Sequence, residues 1–172
     1  MTTPEARPDA FHARILQTFR FEVVLTRSSS AGAGGAPERF TDGSFQECSG
    51  LELEADVKEY LEGGRNDGVI RRVGRVKLQP IVLKRGLLTM DGGADTALWD
   101  WLQGMVAGVL PIPRYDGVIA VKDTAKAETR ATWRFDRGLP VKVTGPALNA
   151  KSGDIAIEEL HIVHEGLRMV RR

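Results

Sequence analysis

Three histidines and a single cysteine are the side chains best suited to metal binding or nucleophilic chemistry in this 172-residue chain. His161 and His164 are three positions apart on a predicted strand, so regular alternation places them on opposite faces of that strand. His12 lies in a polar N-terminal segment. Cys48 has no neighbouring histidine and no CxxC partner, so we interpret it as a buried apolar thiol. The sequence therefore predicts no metal site, no cofactor and no enzymatic activity.

Other residue types that often carry chemistry have simpler explanations here. The glycine-rich stretch after the first predicted strand has no Gly-Lys-Ser/Thr ending and no helix after it, which argues against a phosphate-binding loop. The carboxylates of Glu52, Glu54 and Asp56 alternate with apolar residues, as they do on the polar face of a strand. The basic pair Arg71-Arg72 lacks interleaved aromatic residues, so specific nucleic-acid binding is not expected.

The composition indicates one domain of balanced charge. The chain has 24 basic and 23 acidic residues and a formal net charge of +1, which gives no general attraction to nucleic acid or to anionic membranes. Its apolar fraction of 42% is enough to build a core. No apolar run approaches the roughly 20 residues that a membrane-spanning helix needs, so direct membrane insertion is not expected. The first residues lack the apolar centre of a secretory signal, and one cysteine fits folding in a reducing compartment.

Most of the chain shows the two-residue alternation of β-strands. The clearest case is residues 51–58, where apolar residues at odd positions alternate with charged residues at even positions. The same pattern predicts strands at residues 19–25, 43–49, 75–84, 118–122, 130–136, 139–144 and 154–163. Pro80 lacks a backbone donor, which predicts an edge position or a bulge in its strand. In the last strand the apolar residues change parity, which predicts a bulge near Glu158 and Glu159.

One amphipathic helix interrupts this series of strands. The residues with the i, i+3, i+4, i+7 spacing of a single helical face are Leu98, Trp101, Leu102 and Met105. Asp95 or Thr96 is suited to cap the N-terminus of the helix, and prolines follow its C-terminus. We expect the apolar face to pack on the sheets as a lid over the core.

Together these elements predict a mainly β fold over residues 18–170. The expected architecture is two packed antiparallel sheets, in a β-sandwich or barrel, with one flanking α-helix. Residues 1–17 are predicted to form a polar N-terminal arm. Within the domain, the Gly/Ser-rich residues 28–41 are expected to be a flexible loop. Residues 59–75 carry a Gly-Gly pair and an Asp-Gly step, which predict an extended hairpin or arm.

Eight short sequence phrases carry a resemblance to a known family. They are residues 45–51 (FQECSGL), 59–66 (EYLEGGRN), 83–86 (LKRG), 98–101 (LWDW), 133–135 (WRF), 139–142 (LPVK), 157–160 (IEEL) and 164–167 (HEGL). In this order and spacing they resemble the tail-tube, or inner-tube, proteins of contractile phage tails and of phage-tail-like extracellular contractile injection systems. The resemblance covers residues 18–170, nearly the whole chain, which would make this range a tail-tube domain.

The resemblance implies a structural role without catalysis. The implied assembly is a hexameric ring that stacks on further rings into a hollow tube with a lumen for cargo. A closed ring also satisfies open strand edges with neighbouring subunits. The implied partners are further copies of this chain, a sheath protein, baseplate and spike proteins, and effector cargo in the lumen. Assembly is expected in the bacterial cytoplasm, as part of a particle that is either released or kept inside the cell.

The resemblance also places an inter-ring contact in the segment between two strong strands, within residues 59–75. The candidate residues for this inter-ring arm are Glu62, Gly63, Gly64, Arg65 and Asn66. They are polar and glycine-rich, which suits an arm that reaches the adjoining ring.

A polar lumen is expected of a tube through which cargo slides. The lumen-facing candidates are the even positions of the clearest strand, Glu52, Glu54, Asp56 and Lys58. On this strand alone they leave an excess of two negative charges, which Lys77 or Lys122 on other strands could offset. In an isolated sandwich the same face would simply be solvated.

Three alternatives remain open from the sequence. Two keep the fold, namely a baseplate-proximal tube initiator or adaptor and a tube protein like that of type VI secretion. The long loop at residues 28–37 and the extra Gly68 with Arg71-Arg72 depart from the usual family pattern and bear on this choice. The third is a β-barrel enzyme or ligand-binding domain, which requires a pocket with convergent polar groups.

Overall fold

The computed structural model of the protein describes residues 16–28, 39–41, 45–61, 68–90, 92–123 and 128–170. The elements in these ranges are strands β1 (Phe21–Arg27), β2 (Arg39–Thr41), β3 (Glu47–Ser49), β4 (Leu53–Tyr60), β5 (Ile70–Leu78), β6 (Ile81–Gly86), β7 (Thr89–Met90) and β8 (Gly93–Ala94), helix α1 (Ala97–Val106), and strands β9 (Tyr115–Lys122), β10 (Thr129–Thr144), β11 (Ile157–Val163) and β12 (Gly166–Val170). Within the described ranges, no helix is long and apolar enough to cross a membrane.

Strand β10 belongs to both main sheets. Its first part pairs with β9 and β12, and its last part pairs with β11. Sheet A therefore has the order β2-β1-β9-β10-β12, and sheet B has the order β10-β11-β6-β3, with every pairing antiparallel. The predicted fold class, mainly β with two antiparallel sheets and one flanking helix, is confirmed.

The sequence predicted two separate strands where the structure has the single strand β10. The strand passes from one sheet to the other at Arg137, whose φ of 53° lies in the left-handed region. The Arg137 backbone N–H donates to the Asp116 carboxylate at 2.7 Å, which holds the bend against β9. A bend of this kind looks like a strand boundary in the sequence, because it breaks the alternation without ending the pairing.

The hydrophobic core contains side chains from both sheets and from helix α1. Its buried members are Val23, Leu25, Phe45, Ile81, Leu83, Leu98, Trp101, Tyr115, Ile119, Phe135, Leu160 and Ile162. The Phe135 ring lies directly against the backbone of Gly117, where an added Cβ would come within 2.0 Å of a ring carbon. Any side chain at Gly117 would therefore displace the ring from the centre of the core.

Helix α1 packs on the core through part of its predicted apolar face. Leu98 and Trp101 are buried, while Leu102 and Met105 are half-buried. The Trp101 indole N–H donates to the Pro113 carbonyl at 3.0 Å. At the helix start, Thr96 occupies the N-cap position, but it is the Asp95 carboxylate that accepts the Ala97 backbone N–H, at 3.0 Å. The side-chain capping hydrogen bond, which the sequence left open between these two residues, is therefore made by Asp95.

The bulge predicted near Glu158 and Glu159 is wrong. Strand β11 begins at Ile157 and pairs with β6 without a register shift. Leu160 and Ile162 face the core, and Glu158 faces it with them and is fully buried. The prediction failed because it assumed that every core position of the strand is apolar. Instead, an acidic residue occupies one of them and is neutralised there.

The partner of Glu158 is Arg85, on the adjacent strand β6, and both side chains are 0% exposed. Arg85 Nε donates to Glu158 Oε1 at 2.6 Å, and Arg85 Nη1 lies 3.0 Å from Asp95 Oδ2. Because Asp95 lies two residues before α1, one buried guanidinium connects two strands of sheet B with the start of the helix. An ion pair of this kind holds β6 and β11 in one register, since any shift would leave an unpaired charge in the core, which is very costly.

Several predicted boundaries also differ from the structure. The loop predicted over residues 28–41 is wrong for its last three residues, which form β2 and pair with β1; residues 29–38 lie outside the described residues. The single strand predicted over residues 75–84 is divided at Gln79-Pro80 into β5 and β6. The short strands β7 and β8 and the C-terminal strand β12 were not predicted, because they are too short or too irregular to show alternation.

Candidate functional site

Strands β4 and β5 form a hairpin that stands apart from both main sheets. Within the described residues they pair only with each other. Their register continues that of β3 and β6, since Glu47 faces Lys84 and, six residues along each strand, Leu53 faces Leu78. The break between the two halves is at Gly50, which has a φ of 83° and whose added Cβ would lie 2.0 Å from the Pro80 carbonyl oxygen. The hairpin is therefore the far half of one long ribbon that leaves the sandwich.

One face of this hairpin is apolar over residues 53–57 and 73–78, and most of its side chains are exposed in the described part of the chain. The cross-strand pairs on it, which we call the apolar strip, are Leu53–Leu78, Ala55–Val76 and Val57–Val73. The side chains of Leu53, Val57, Val73 and Val76 are each between 54% and 77% exposed. A contiguous apolar surface of this kind on a folded chain marks a site of interaction.

The opposite face of the hairpin is polar and contains three of the four lumen-facing candidates. Glu54, Asp56 and Lys58 lie on β4, beside Arg72 and Lys77 of β5. Lys77 Nζ lies 2.7 Å from Asp56 Oδ1, and this hydrogen bond, with the charges of Asp56 and Glu54, raises the pKa of Lys77. The fourth candidate, Glu52, precedes β4, and its backbone N–H donates to the Gly50 carbonyl at 2.8 Å.

The charge of the hairpin is opposite in sign to that of β4 taken alone. Strand β4 has three carboxylates and one lysine, whereas β5 has four basic residues and no acidic one, so the two strands together have a net charge of +2. The positive charge that offsets the carboxylates of β4 is supplied by β5, which contains Lys77. Lys122 lies elsewhere, on β9, where its Nζ is 2.6 Å from Glu22 Oε2.

The candidates for the inter-ring arm, Glu62, Gly63, Gly64, Arg65 and Asn66, lie outside the described residues. The strands that lead into and out of this segment are described, and they end at Tyr60 and begin at Ile70. The guanidinium of Arg72 lies 5.1 Å from the centre of the Tyr60 ring, so a cation–π contact closes the described end of the hairpin.

An apolar groove with a volume of about 420 Å³ lies between β3 and the strands of sheet A. Its apolar lining includes Phe19, Phe21, Cys48, Leu51, Val121 and Trp133. Among the described residues that line the groove, the charged one is Glu47, whose carboxylate lies 2.9 Å from Lys84 Nζ. Sequence reasoning missed this groove because its walls come from four segments that only the fold brings together.

Cys48 is half-buried in the wall of this groove. Burial, and secondarily the negative charge of Glu47, raises the pKa of the Cys48 thiol to about 12. The thiolate is the reactive form of cysteine, so at neutral pH this side chain is a poor nucleophile. The raised pKa agrees with its interpretation as an apolar thiol, but the side chain is half-buried and not fully buried as predicted.

The two histidines near the C-terminus do not meet. The His161 ring contacts Glu159 on the same strand, and this hydrogen bond is the main reason that the pKa of Glu159 is lowered. His164 Nε2 lies 3.1 Å from the Gln79 carbonyl, and burial lowers the pKa of His164. Across the described part of the chain, no group of three or more His, Cys, Asp or Glu residues is arranged to hold a metal ion.

Comparison with known families gives a match of nearly full length. The family model described as T4-like virus tail tube protein gp19 matches residues 17–168. A search of curated protein sequences gives no match.

Solved structures with a similar fold come from contractile injection particles. A chain from the six-fold symmetrised baseplate of the anti-feeding prophage (AFP) has a TM-score of 0.74 and 22% identity, over 92% of this chain and 97% of that one. A chain from the extended sheath–tube complex of the extracellular contractile injection system PVC has a TM-score of 0.71 and 24% identity, over 91% of each chain. A chain from the AFP tube-terminating cap has a TM-score of 0.75 and 20% identity, over 96% and 97%. At these identities the similarity establishes a shared fold.

Proposed function

The chain belongs to the T4-like virus tail tube protein family, and we propose that it builds the inner tube of a contractile injection system as stacked hexameric rings. The tube would enclose a lumen for cargo, and the chain's role would be structural, without catalysis. Six-fold symmetry is supported by the AFP baseplate structure, which contains a chain of the same fold and is described as six-fold symmetrised.

The observation that carries this proposal is the uncovered apolar strip of the hairpin. An isolated two-stranded hairpin is at best marginally stable in water, so a long one with an exposed apolar face needs a surface to pack against. Fully burying a Val or Leu side chain contributes about 1.5–3 kcal/mol. Each of the four exposed side chains on the strip would supply part of that on association, and a closed ring repeats the contact at every interface.

The polar face of the hairpin is then the proposed lining of the lumen. A strip that packs on protein leaves the opposite face, with Glu54, Asp56 and Lys58, directed toward water. Charges of both signs on this face favour a hydrated surface to which cargo does not adhere. Reversing Glu52 and Glu54 to lysine is expected to leave assembly intact and to change what the channel retains; failure to assemble would place these carboxylates in a subunit interface instead.

The proposed partners follow from the tube role. They are further copies of this chain, a sheath protein around the tube, baseplate and spike proteins at its end, and effector cargo within it, with assembly in the bacterial cytoplasm. The similar chains come from a baseplate, a sheath–tube complex and a cap, so a baseplate-proximal tube protein is the second candidate. Counting copies of the chain per purified particle separates them, since a main tube protein is present in many rings and an initiator in one or two.

Negative-stain microscopy of the purified chain tests the proposal. The wild-type chain is expected to form rings or tubes, and the double variant Val57→Thr/Val73→Thr is expected to remain monomeric with an unchanged circular dichroism spectrum. The matched control is Lys58→Thr/Arg72→Thr, an adjacent cross-strand pair on the opposite face, which should still assemble. A wild-type chain that stays monomeric at all concentrations would refute the tube role.

The inter-ring arm has its own test. Replacing residues 62–66 with a Gly/Ser linker of equal length should leave single rings that stack poorly, because the proposed contact to the next ring is lost. Tubes of normal length from this variant would refute the assignment of Glu62 to Asn66.

A further inference from the structure

We infer that the apolar groove between β3 and sheet A is the receptor for the apolar strip of a neighbouring copy of the chain. This inference rests on the proposed function and adds to it the surface on which the hairpin packs. It assigns a role to two apolar surfaces, a strand face and a groove, that are open to solvent among the described residues.

The chemistry of the groove matches that of the strip. Its walls are formed mainly by aromatic and aliphatic side chains, and Phe19 at its rim is 66% exposed. An exposed phenylalanine beside an apolar cavity is the kind of residue that anchors a protein interface when a partner covers it. The strip offers branched aliphatic side chains, which fill such a cavity without bringing a polar atom into it.

The position of the groove favours a second copy over the chain's own hairpin. Leu51 lines the groove and lies two residues before the start of β4, so the hairpin leaves the domain at the groove. Four of its side chains are nevertheless more than half exposed, which means that the hairpin does not fold back to fill the groove beside it. Each copy therefore presents a strip on one side and a groove on another. A contact between two different surfaces of identical chains is heterologous. It closes into a ring when the rotation that relates neighbouring copies brings the last copy back to the first.

Two further observations favour this occupant. Strand β3 contributes Glu47 and Cys48 to the groove and is the last strand of sheet B, and within the described residues no strand pairs with its outer edge. An incoming strand could pair with that edge and satisfy it. The hairpin strands also have a net charge of +2, and the charged residue among the described lining residues is Glu47, which forms an ion pair with Lys84 at 2.9 Å, so the groove lining adds no positive charge that would repel the hairpin.

The native cysteine makes the inference directly testable, because Cys48 lies in the groove wall and is the single cysteine of the chain. Leu53, Val57, Val73 and Val76 are changed to cysteine one at a time, and assembled rings are oxidised with copper phenanthroline. At least one of these variants is expected to form a disulfide with Cys48 of the neighbouring copy, seen as a ladder of oligomers on a non-reducing gel. A disulfide forms only when the two Cα atoms come within about 7 Å, so the link reports contact.

The controls use the other face of the same hairpin. Glu54→Cys and Lys77→Cys are expected to give no ladder, and adding Cys48→Ala to a linking variant should abolish its ladder. A ladder from the polar-face variants alone would overturn the inference, because it would place the hairpin in the opposite orientation. A cross-linked species that migrates as a monomer would also overturn it, because the strip would then reach the groove of its own chain.

A substitution in the groove gives an independent measurement. Phe19→Arg adds a positive charge at the rim, against the positive hairpin, and is expected to weaken ring formation by about tenfold or more. Leu148→Arg is the control, since Leu148 is 90% exposed and does not line the groove. If the wild-type chain forms no rings, the proposed function fails. If rings form, but no strip cysteine links to Cys48 and Phe19→Arg assembles like Leu148→Arg, this inference alone fails.

Discussion

Strands β11 and β4 have similarly alternating sequences, but one face of β11 is buried and both faces of β4 are largely exposed. In β11 the residues Glu158, Leu160 and Ile162 share a face that is fully buried in the core. In β4 the apolar positions Leu53 and Val57 share a face just as regularly, yet both are more than half exposed. The comparison shows that alternation determines which residues lie on the same face of a strand. What covers that face is determined by the elements that pack against the strand.

Charged residues show the same difference between the two regions. Arg85 and Glu158 form an ion pair in the core with no exposure, and Lys77 and Asp56 form one on the hairpin with about half of each side chain exposed. The two pairs have nearly equal distances, 2.6 and 2.7 Å. Burial therefore decides their energetic weight, because water screens the hairpin pair and leaves the core pair unscreened.

The largest expected effect is at the lid of the core. Trp101→Ala removes a 4% exposed indole that packs 4.7 Å from the Tyr115 ring and donates to the Pro113 carbonyl. Truncating a buried tryptophan costs about 3–5 kcal/mol, so most of this protein is expected to be insoluble or aggregated. A chemical denaturation curve equal to that of the wild type would show that α1 contributes nothing to the core.

The next effect compares the two ion pairs directly. Arg85→Met leaves the Glu158 carboxylate buried without a partner and is expected to lower the free energy of unfolding by about 3–5 kcal/mol. Adding Glu158→Leu should recover part of this loss, because it removes the orphaned charge. Lys77→Met likewise replaces the cation of an ion pair by methionine, but on the exposed hairpin, and it is expected to leave the denaturation midpoint unchanged. Equal effects of the two methionine variants would contradict the assignment of one pair to the core and the other to solvent.

The smallest effect concerns pH. Burial lowers the pKa of His164 below its ordinary value of 6.5, so the unfolded chain binds a proton more readily than the folded chain. Stability from this residue is present above pH 6.5 and is lost as the pH falls through that value toward the lower, folded pKa. The thermal midpoint is expected to fall modestly between pH 7 and pH 5.5, and less so in His164→Gln. An identical pH dependence in both proteins would rule out His164 as the cause.

The sequence was sufficient for the elements whose pattern is local. The strands around Val23, Leu53 and Ile119 and the helix at Leu98 were predicted, because apolar periodicity records which residues must share a face. The predictions failed where a residue has a partner distant in sequence. Glu158 is a core residue only because Arg85 lies beside it, and β10 is one strand only because Asp116 holds the bend at Arg137.

For the candidate site, the sequence determined the composition of the hairpin, including the polar row at Glu54, Asp56 and Lys58 and the apolar row opposite it. Family resemblance supplied the tube role, and the family match established that the chain belongs to the tail tube protein family. Only the tertiary structure decided that the hairpin leaves the sandwich at Gly50, that β5 makes it positive, and that Phe19, Cys48 and Trp133 surround a groove. The physical reason is that alternation along a strand is a property of neighbouring residues, while exposure and concavity depend on segments that meet only when the chain folds.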